Sequence, residues 1–264
     1  MQKISFWNGN KTSARQNYES ELLGACLKIT HKDYGSVSLH IDNTDYPLAE
    51  GESTVFHAGA DILVTVAGNL KFKDEQKIVI NQPLAKGLLG YRLLLVRDES
   101  LQRFKILKDD AELQGLCIGI PQTWADAGLF RHNDYDVVEK GTFDELLPLL
   151  KDHAFDYTAL GVNEIEEVFK QRAEPLGGIS IEPSLMLYYP FPLVFYVNHR
   201  NPALAERIDA GLTALKESGE HDRIFTKNYG DVVQRLGLKR RRRFNLSNPI
   251  LPPEMGDFES TLLD

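Results

Sequence analysis

Apolar residues fall into short clusters along this chain, and the spacing within each cluster separates strands from helices. Lys3-Ile4-Ser5-Phe6-Trp7 predicts a short strand. Over residues 14–30, Tyr18, Leu22, Ala25 with Cys26, and Ile29 recur at helical intervals, so one face of a helix is buried and Ser13 is its N-cap. Val37-Ser38-Leu39-His40-Ile41 alternates as a strand does, a second helix is expected over 46–57, and Ile62 to Val66 reads as a buried strand. Strands and helices that alternate in this way predict a mostly parallel α/β sheet.

The second half repeats the alternation. Ile78-Val79-Ile80 and Leu93-Leu94-Leu95-Val96 flank Pro83-Leu84-Ala85-Lys86-Gly87-Leu88-Leu89-Gly90, a segment whose proline and glycines suit a hinge. Strands are expected at 116–120, 135–139, 155–160 and 179–182, with helices from Thr123, over 142–152 and over 163–172. The run from Tyr188 to Val197 reads as a return crossing, followed by helices over 201–218 and 223–236 and an extended tail over 245–264. The expected architecture is therefore two α/β lobes joined by two crossing segments. Residues 1–91 plus 193–264 form the first lobe, residues 92–192 the second, and a ligand cleft with hinge motion lies between them.

The chain has 264 residues, of which 42% are hydrophobic and 26% charged, an ordinary globular composition. A net charge of -8 argues against a dedicated nucleic-acid or anionic-membrane binder. The basic run Lys239 to Arg243 reads as a solvated stretch before the tail. No run approaches the roughly 18 apolar residues of a membrane span, and Leu185 to Val197 is broken by Pro190 and Pro192. No leader precedes the first strand, which leaves a cytosolic protein or one whose signal has been removed. Cys26 and Cys117 both read as buried, unbridged small hydrophobes. The seven histidines are scattered, no metal-type spacing occurs, and no G-x-S-x-G, G-x-G-x-x-G or P-loop is present.

Several segments together resemble the bacterial family 3 extracellular solute-binding proteins, the polar-amino-acid-type binding components of ABC transporters. They are Ala60-Asp61-Ile62-Leu63-Val64, Lys86-Gly87-Leu88-Leu89-Gly90-Tyr91-Arg92-Leu93, Phe155-Asp156-Tyr157 and Gly161-Val162-Asn163-Glu164-Ile165. Asn201-Pro202-Ala203-Leu204 and the closing Leu246-Ser247-Asn248-Pro249-Ile250-Leu251-Pro252-Pro253 complete the set, which spans nearly the whole chain. The resemblance is nearest to a less characterised branch. It implies a type II periplasmic-binding-protein fold, export to the periplasm, a monomer without cofactor or metal, no catalysis, and a membrane component of an ABC transporter as partner. Alternatives are a cleft enzyme on the same fold, similar to cyclohexadienyl dehydratases, and a ligand-sensing domain for a membrane receptor.

Candidate ligand-binding residues follow from strand ends. Gln122, Thr123, Trp124 and Asp126 follow one strand and open a helix whose free N–H groups suit an anionic or carbonyl group; Thr123 is equally a plain N-cap and Trp124 a packing residue. Thr65 and Asn69 bracket the turn after the third strand, which also suits an ordinary turn. Asn163 or Glu164 is offered for a ligand amine, and both equally suit a helix start. Trp7 offers a stacking face or a core side chain. Arg92, Tyr188 and Tyr189 are assigned to packing at the crossings. One departure from the family matters: the stretch 69–77, where amino-acid binders carry an arginine that clamps the ligand carboxylate, contains only Lys71, Lys73 and Lys77. A ligand other than a standard free α-amino acid is expected.

Overall fold

Twelve strands build two separate sheets in the computed structural model, which describes residues 2–46 and 48–263. In chain order they are β1 (Gln2–Trp7), β2 (Val37–Asp42), β3 (Ile62–Val66), β4 (Lys77–Ile80), β5 (Tyr91–Arg97), β6 (Cys117–Ile120), β7 (Asp136–Glu139), β8 (Tyr157–Gly161), β9 (Ile179–Ile181), β10 (Leu185–Tyr188), β11 (Leu193–Asn198) and β12 (Arg242–Asn245). The chain divides into two units. The first is Met1–Ala85, Pro192–Asp231 and Pro252–Gly256; the second is Lys86–Phe191, Val232–Leu251 and Asp257–Asp264.

In the first unit the strand order is β2-β1-β3-β11-β4. β1 runs parallel to β2 and β3, and β11 is antiparallel to β3 and β4. β3 and β11 are buried along their whole length, as their continuous apolar runs require of central strands. The helix Ser13–Ile29 buries Tyr18, Leu22, Leu23, Cys26 and Leu27 and packs on the helix Pro202–Glu217. A Cβ at Gly211 would come 3.0 Å from the Cys26 side chain, so glycine is what lets these helices approach. The expected N-cap Ser13 is the first helical residue instead. Thr12 holds the cap position with extended backbone and makes no capping bond. The helix expected over 46–57 is only a single 3-10 segment, Ala49–Thr54, and Pro47 lies outside the described residues. Glu50-Gly51-Glu52-Ser53-Thr54 puts a glycine and a polar run in the middle of the expected helix, which disfavours its continuation, and the buried Val55 and Phe56 follow in the turn after it.

In the second unit the order is β12-β10-β5-β8-β6-β7, with β9 also on β5. β6 runs parallel to both β7 and β8, while β5 runs against β8, β9 and β10. Two expectations need correction here. Residues 86–91, 232–251 and 257–264 belong to the second unit rather than the first, and Pro192 to the first rather than the second; β12 pairs in parallel with β10 at the second unit's sheet edge. The basic run is accordingly structured. Arg241 donates to the carbonyls of Glu182, Leu185 and Leu236, Arg242 donates to that of Leu107, and Arg243 lies over the Tyr188 ring. The helix expected over 163–172 is present and runs unbroken over 165–176, α-helical at Ile165–Val168 and Glu174–Leu176 and wound as a wider π-turn at Phe169–Ala173 between them.

Both cysteines are free thiols. Cys26 is buried, which pushes its thiol up to about 12. Cys117 is half-exposed rather than buried. Desolvation and a 3.2 Å bond to Asp136 push its thiol up to about 11. Among the described residues no helix is long and apolar enough to cross a membrane, and no cluster of His, Cys, Asp and Glu could hold a metal ion.

Gly119 sits under the Phe155 ring, where an added Cβ would meet ring carbons at 2.3 Å. Gly119→Ala should therefore lower stability by about 1–3 kcal/mol, as overpacking does. Urea unfolding checks this, and an unchanged midpoint would contradict the packing described.

Candidate functional site

The carboxyl ends of parallel strands gather the candidate residues in each unit, because every strand-to-helix loop leaves the sheet there. In the first unit, Trp7 ends β1, and Thr65 and Asn69 belong to the end of β3 and its following turn. All three are already engaged. Trp7 is 3% exposed, its Nε1 donates to the Thr44 carbonyl at 3.0 Å and its ring tilts against Tyr46. Asn69 donates from Nδ2 to Thr65 Oγ1 at 2.8 Å and accepts from the Lys71 N–H, which caps the short helix Leu70–Phe72.

Lys11 lies beside them in the β1-to-helix loop. Its ammonium donates to Asn8 Oδ1 at 3.0 Å and pairs with Glu19 at 2.5 Å; Arg15 pairs with the other oxygen of Glu19 at 2.9 Å. Burial lowers the pKa of Lys11, and Glu19 opposes that shift only in part. In the arginine-free stretch, Lys71 pairs with Glu52 at 3.2 Å and Lys77 donates to the Phe72 and Glu75 carbonyls.

The second unit assembles a charged group. Arg92 lies at the head of β5, in register with Gly161 at the carboxyl end of β8. It is 2% exposed. Its guanidinium contacts Asp126 at 2.8 Å and Glu164 at 3.7 Å, and its Nε donates to the Tyr189 hydroxyl at 2.7 Å. Tyr189 in turn donates to Asp126. Burial pulls the Arg92 pKa down, but Asp126, then Tyr189 and Glu164, outweigh it and raise it overall. Burial also holds the Tyr189 phenol well above its ordinary value, so it stays a proton donor. One cation faces two carboxylates, so this quartet carries one net negative charge when all three ionise.

Sequence reasoning named Asp126 and Glu164 but missed what joins them. The available signal was Arg92 itself, a charge inside the apolar run Tyr91–Arg97 that must find buried partners.

The loop after β6 differs from expectation. The helix begins at Ala125, not Thr123. Thr123 adopts φ +67°, a left-handed value rare for a β-branched residue. Its N–H is not free for an anion, since it donates to Glu139 at 2.9 Å. Gln122 is exposed, with its N–H on the Gly141 carbonyl. Trp124 holds the cap position without a capping bond and stacks on Phe143 at 5.6 Å. Asn163 is buried, at 6% exposure, and Glu164 rather than Asn163 stands at the start of the following helical turn.

Five buried side-chain atoms among the described residues lack a hydrogen-bond partner: Thr12 Oγ1, Arg97 Nε, Thr123 Oγ1, Tyr157 Oη and Asn163 Oδ1. Three of them, on Thr12, Thr123 and Asn163, lie in loops at the carboxyl ends of β1, β6 and β8.

No family model and no curated protein matches this sequence. Solved structures do. A mutant of ArgBP from T. maritima aligns with TM-score 0.58 and 15% identity over 86% of this chain and 95% of that one. A histidine kinase sensor domain with similarity to periplasmic binding proteins aligns with TM-score 0.60 and 16% identity over 86% and 96%. A Salmonella typhimurium periplasmic binding protein, described for its high arginine specificity, aligns with TM-score 0.58 and 14% identity over 86% and 99%. These likenesses and the two sheets give the chain the type II periplasmic-binding-protein fold.

Two substitutions probe the second unit's edge. Arg92→Met leaves Asp126 and Glu164 facing each other without a cation, and should cost about 3–5 kcal/mol in denaturant unfolding; a loss below about 1 kcal/mol would mean the quartet is not formed. Thr123→Val removes an unsatisfied hydroxyl while keeping its shape. It should leave stability unchanged or raise it by about 1 kcal/mol, and clear destabilisation would show that the hydroxyl has a partner.

Proposed function

We propose that the protein is a solute-binding protein that captures a small polar molecule at the carboxyl-end edges of its sheets. The observation that carries this reading is the placement of three buried, unpartnered hydroxyl and amide oxygens in those edge loops. Leaving such an atom unpaired costs about 1–3 kcal/mol, and a bound polar ligand would recover that cost. Asp126 is tied to Arg92 and Tyr189, and Glu164 to Arg92 and, at 3.4 Å, the Gly161 N–H. Neither is poised as a free general base, which favours binding over a dehydratase-like activity.

The ligand is not a free α-amino acid in this proposal. Lys71 and Lys77 are engaged, and the Arg15 and Arg92 guanidinium groups already meet carboxylates. A modified amino acid, a small peptide or a cyclic polar metabolite fits better. The likeness to periplasmic binding proteins supports a periplasmic location and delivery to an ABC transporter's membrane component. Ligand sensing for a membrane receptor is the second reading, favoured by the likeness to a kinase sensor domain.

A thermal-shift screen of metabolites tests the binding role, since a ligand selective for the native state raises the melting temperature by mass action. Positive compounds should lose their effect in Asn163→Leu. Calorimetry against the twenty common amino acids should give no micromolar affinity; one such affinity would refute the ligand class while leaving the binding role intact. Turnover of prephenate would refute the binding role itself.

A further inference from the structure

At the opposite end of the first unit's sheet lies a groove of about 450 Å³, formed by the helix Ser13–Ile29, the start of β2 and Arg207 of the helix Pro202–Glu217. Leu27, Val37 and Leu39 supply apolar walls, and Lys28, His31, Ser36 and Arg207 supply the polar ones; among the described residues no carboxylate lines it. Val37 opens β2 opposite Gln2 of β1, so the groove is at the amino ends of these strands, away from Trp7, Thr65 and Asn69.

Arg207 is unlike the other buried cations of this protein. It is 4% exposed, yet no carboxylate pairs with it among the described residues. Its Nε donates to Thr30 Oγ1 at 2.9 Å, its Nη2 donates to the Leu27 and Gly35 carbonyls at 2.7 and 3.1 Å, and its guanidinium lies 5.8 Å from the Tyr34 ring centroid. These contacts fix the planar group but leave its charge without a counterion. Lys11 and Arg92, by contrast, each meet a carboxylate directly. The groove also contains Gly24, in the middle of a helix where glycine is unfavourable. A Cβ there would meet nothing within 4 Å, so close packing does not require that glycine; open space lies over it.

We propose that this groove binds a small organic carboxylate with an apolar body. The carboxylate sits on Arg207, with Lys28 adding attraction, and the body lies on Leu27, Val37 and Leu39. Charge complementarity selects an anion, and the apolar walls select an organic one over inorganic phosphate. The volume suits a small molecule. The site is independent of the solute-binding reading above.

The test is a two-dimensional amide NMR titration of the whole protein with hexanoate, hexanol and inorganic phosphate. Hexanoate should saturate, with a Kd on the order of millimolar, and shift amides in 24–39 and around 207. Hexanol and phosphate should each bind at least about tenfold more weakly, as loss of the charge or of the apolar body requires. Gly24→Leu fills the groove without touching Arg207, and should abolish the hexanoate shifts while leaving the melting temperature equal or higher. Arg207→Gln should weaken hexanoate binding as loss of the charge does. That variant also removes the hydrogen bonds to Leu27, Thr30 and Gly35, so if it unfolds, Gly24→Leu alone decides between the outcomes. Equal binding of hexanol or phosphate, shifts confined to the loops around 123 and 163, unaltered binding in Gly24→Leu, or no saturable shift would each overturn the proposal.

Discussion

A guanidinium taken out of water at the head of β5 constrains the second unit more than any other single group. Removing an ion from water costs several kcal/mol even after relaxation, so Arg92 is tolerated only with its partners in place. Those partners come from separate segments: Asp126 from the helix after β6, Glu164 from the loop after β8, and Tyr189 from the chain leaving β10. Satisfying one charge therefore fixes where three loops end. The backbone is arranged to permit it. Tyr189 donates its N–H to the Gly90 carbonyl at 3.2 Å, and a Cβ at Gly90 would lie 2.2 Å from the Tyr189 carbonyl oxygen, so only glycine lets these segments pass so closely. Phe130 and Phe191 then pack edge-on against the Tyr189 ring and keep water from the cluster.

The first unit satisfies its buried polar groups differently. Asn8, fully buried, donates to the Gln16 carbonyl and Ser20, accepts from Lys11, and receives the Gln16 side chain on its own carbonyl. Lys11 and Arg15 share Glu19, which neutralises part of the charge at this edge. The edge is mostly self-satisfied, with Thr12 Oγ1 as the exception among the described residues. The second unit's edge holds two such exceptions beside a charged quartet, and this asymmetry makes it the better candidate for chemical selectivity.

Period and punctuation made most strands legible. The run Ile62–Val66 could only be a central strand, and Val37–Asp42 alternates as a half-covered edge strand should. What escaped was long-range. Arg242–Asn245 looks like a solvated charge run locally, and becomes a strand only because β10 presents an open edge and Glu182 and Leu185 present carbonyls to Arg241. Arg92 looks like a crossing residue until three distant loops are brought to it. Asn163 and Glu164 could not be told apart from sequence because their difference is one of burial: the first is enclosed and unpaired, the second is held toward Arg92. Thr123 reads as an N-cap by residue type, yet its neighbour Trp124 takes that position once the backbone turns left-handed.

Thr123 is where local preference and fold disagree most. A β-branched residue at φ +67° is strained, since its side chain crowds the backbone in that region. The strain has no compensation within the residue, because the hydroxyl it places in the interior finds no partner. Glycine would relieve the backbone, and valine would remove the orphaned oxygen. Natural sequences are locally consistent where only stability is at stake, and depart from consistency where a site demands it. Glu139 shows how the departure is held: it accepts the Thr123 N–H with one oxygen and pairs with Arg131 through the other, which pins the strained turn from the neighbouring strand. The turn is thus held in place by other residues rather than by its own preference. In the solute-binding role proposed above, positioning of this kind would reduce the ordering cost of binding.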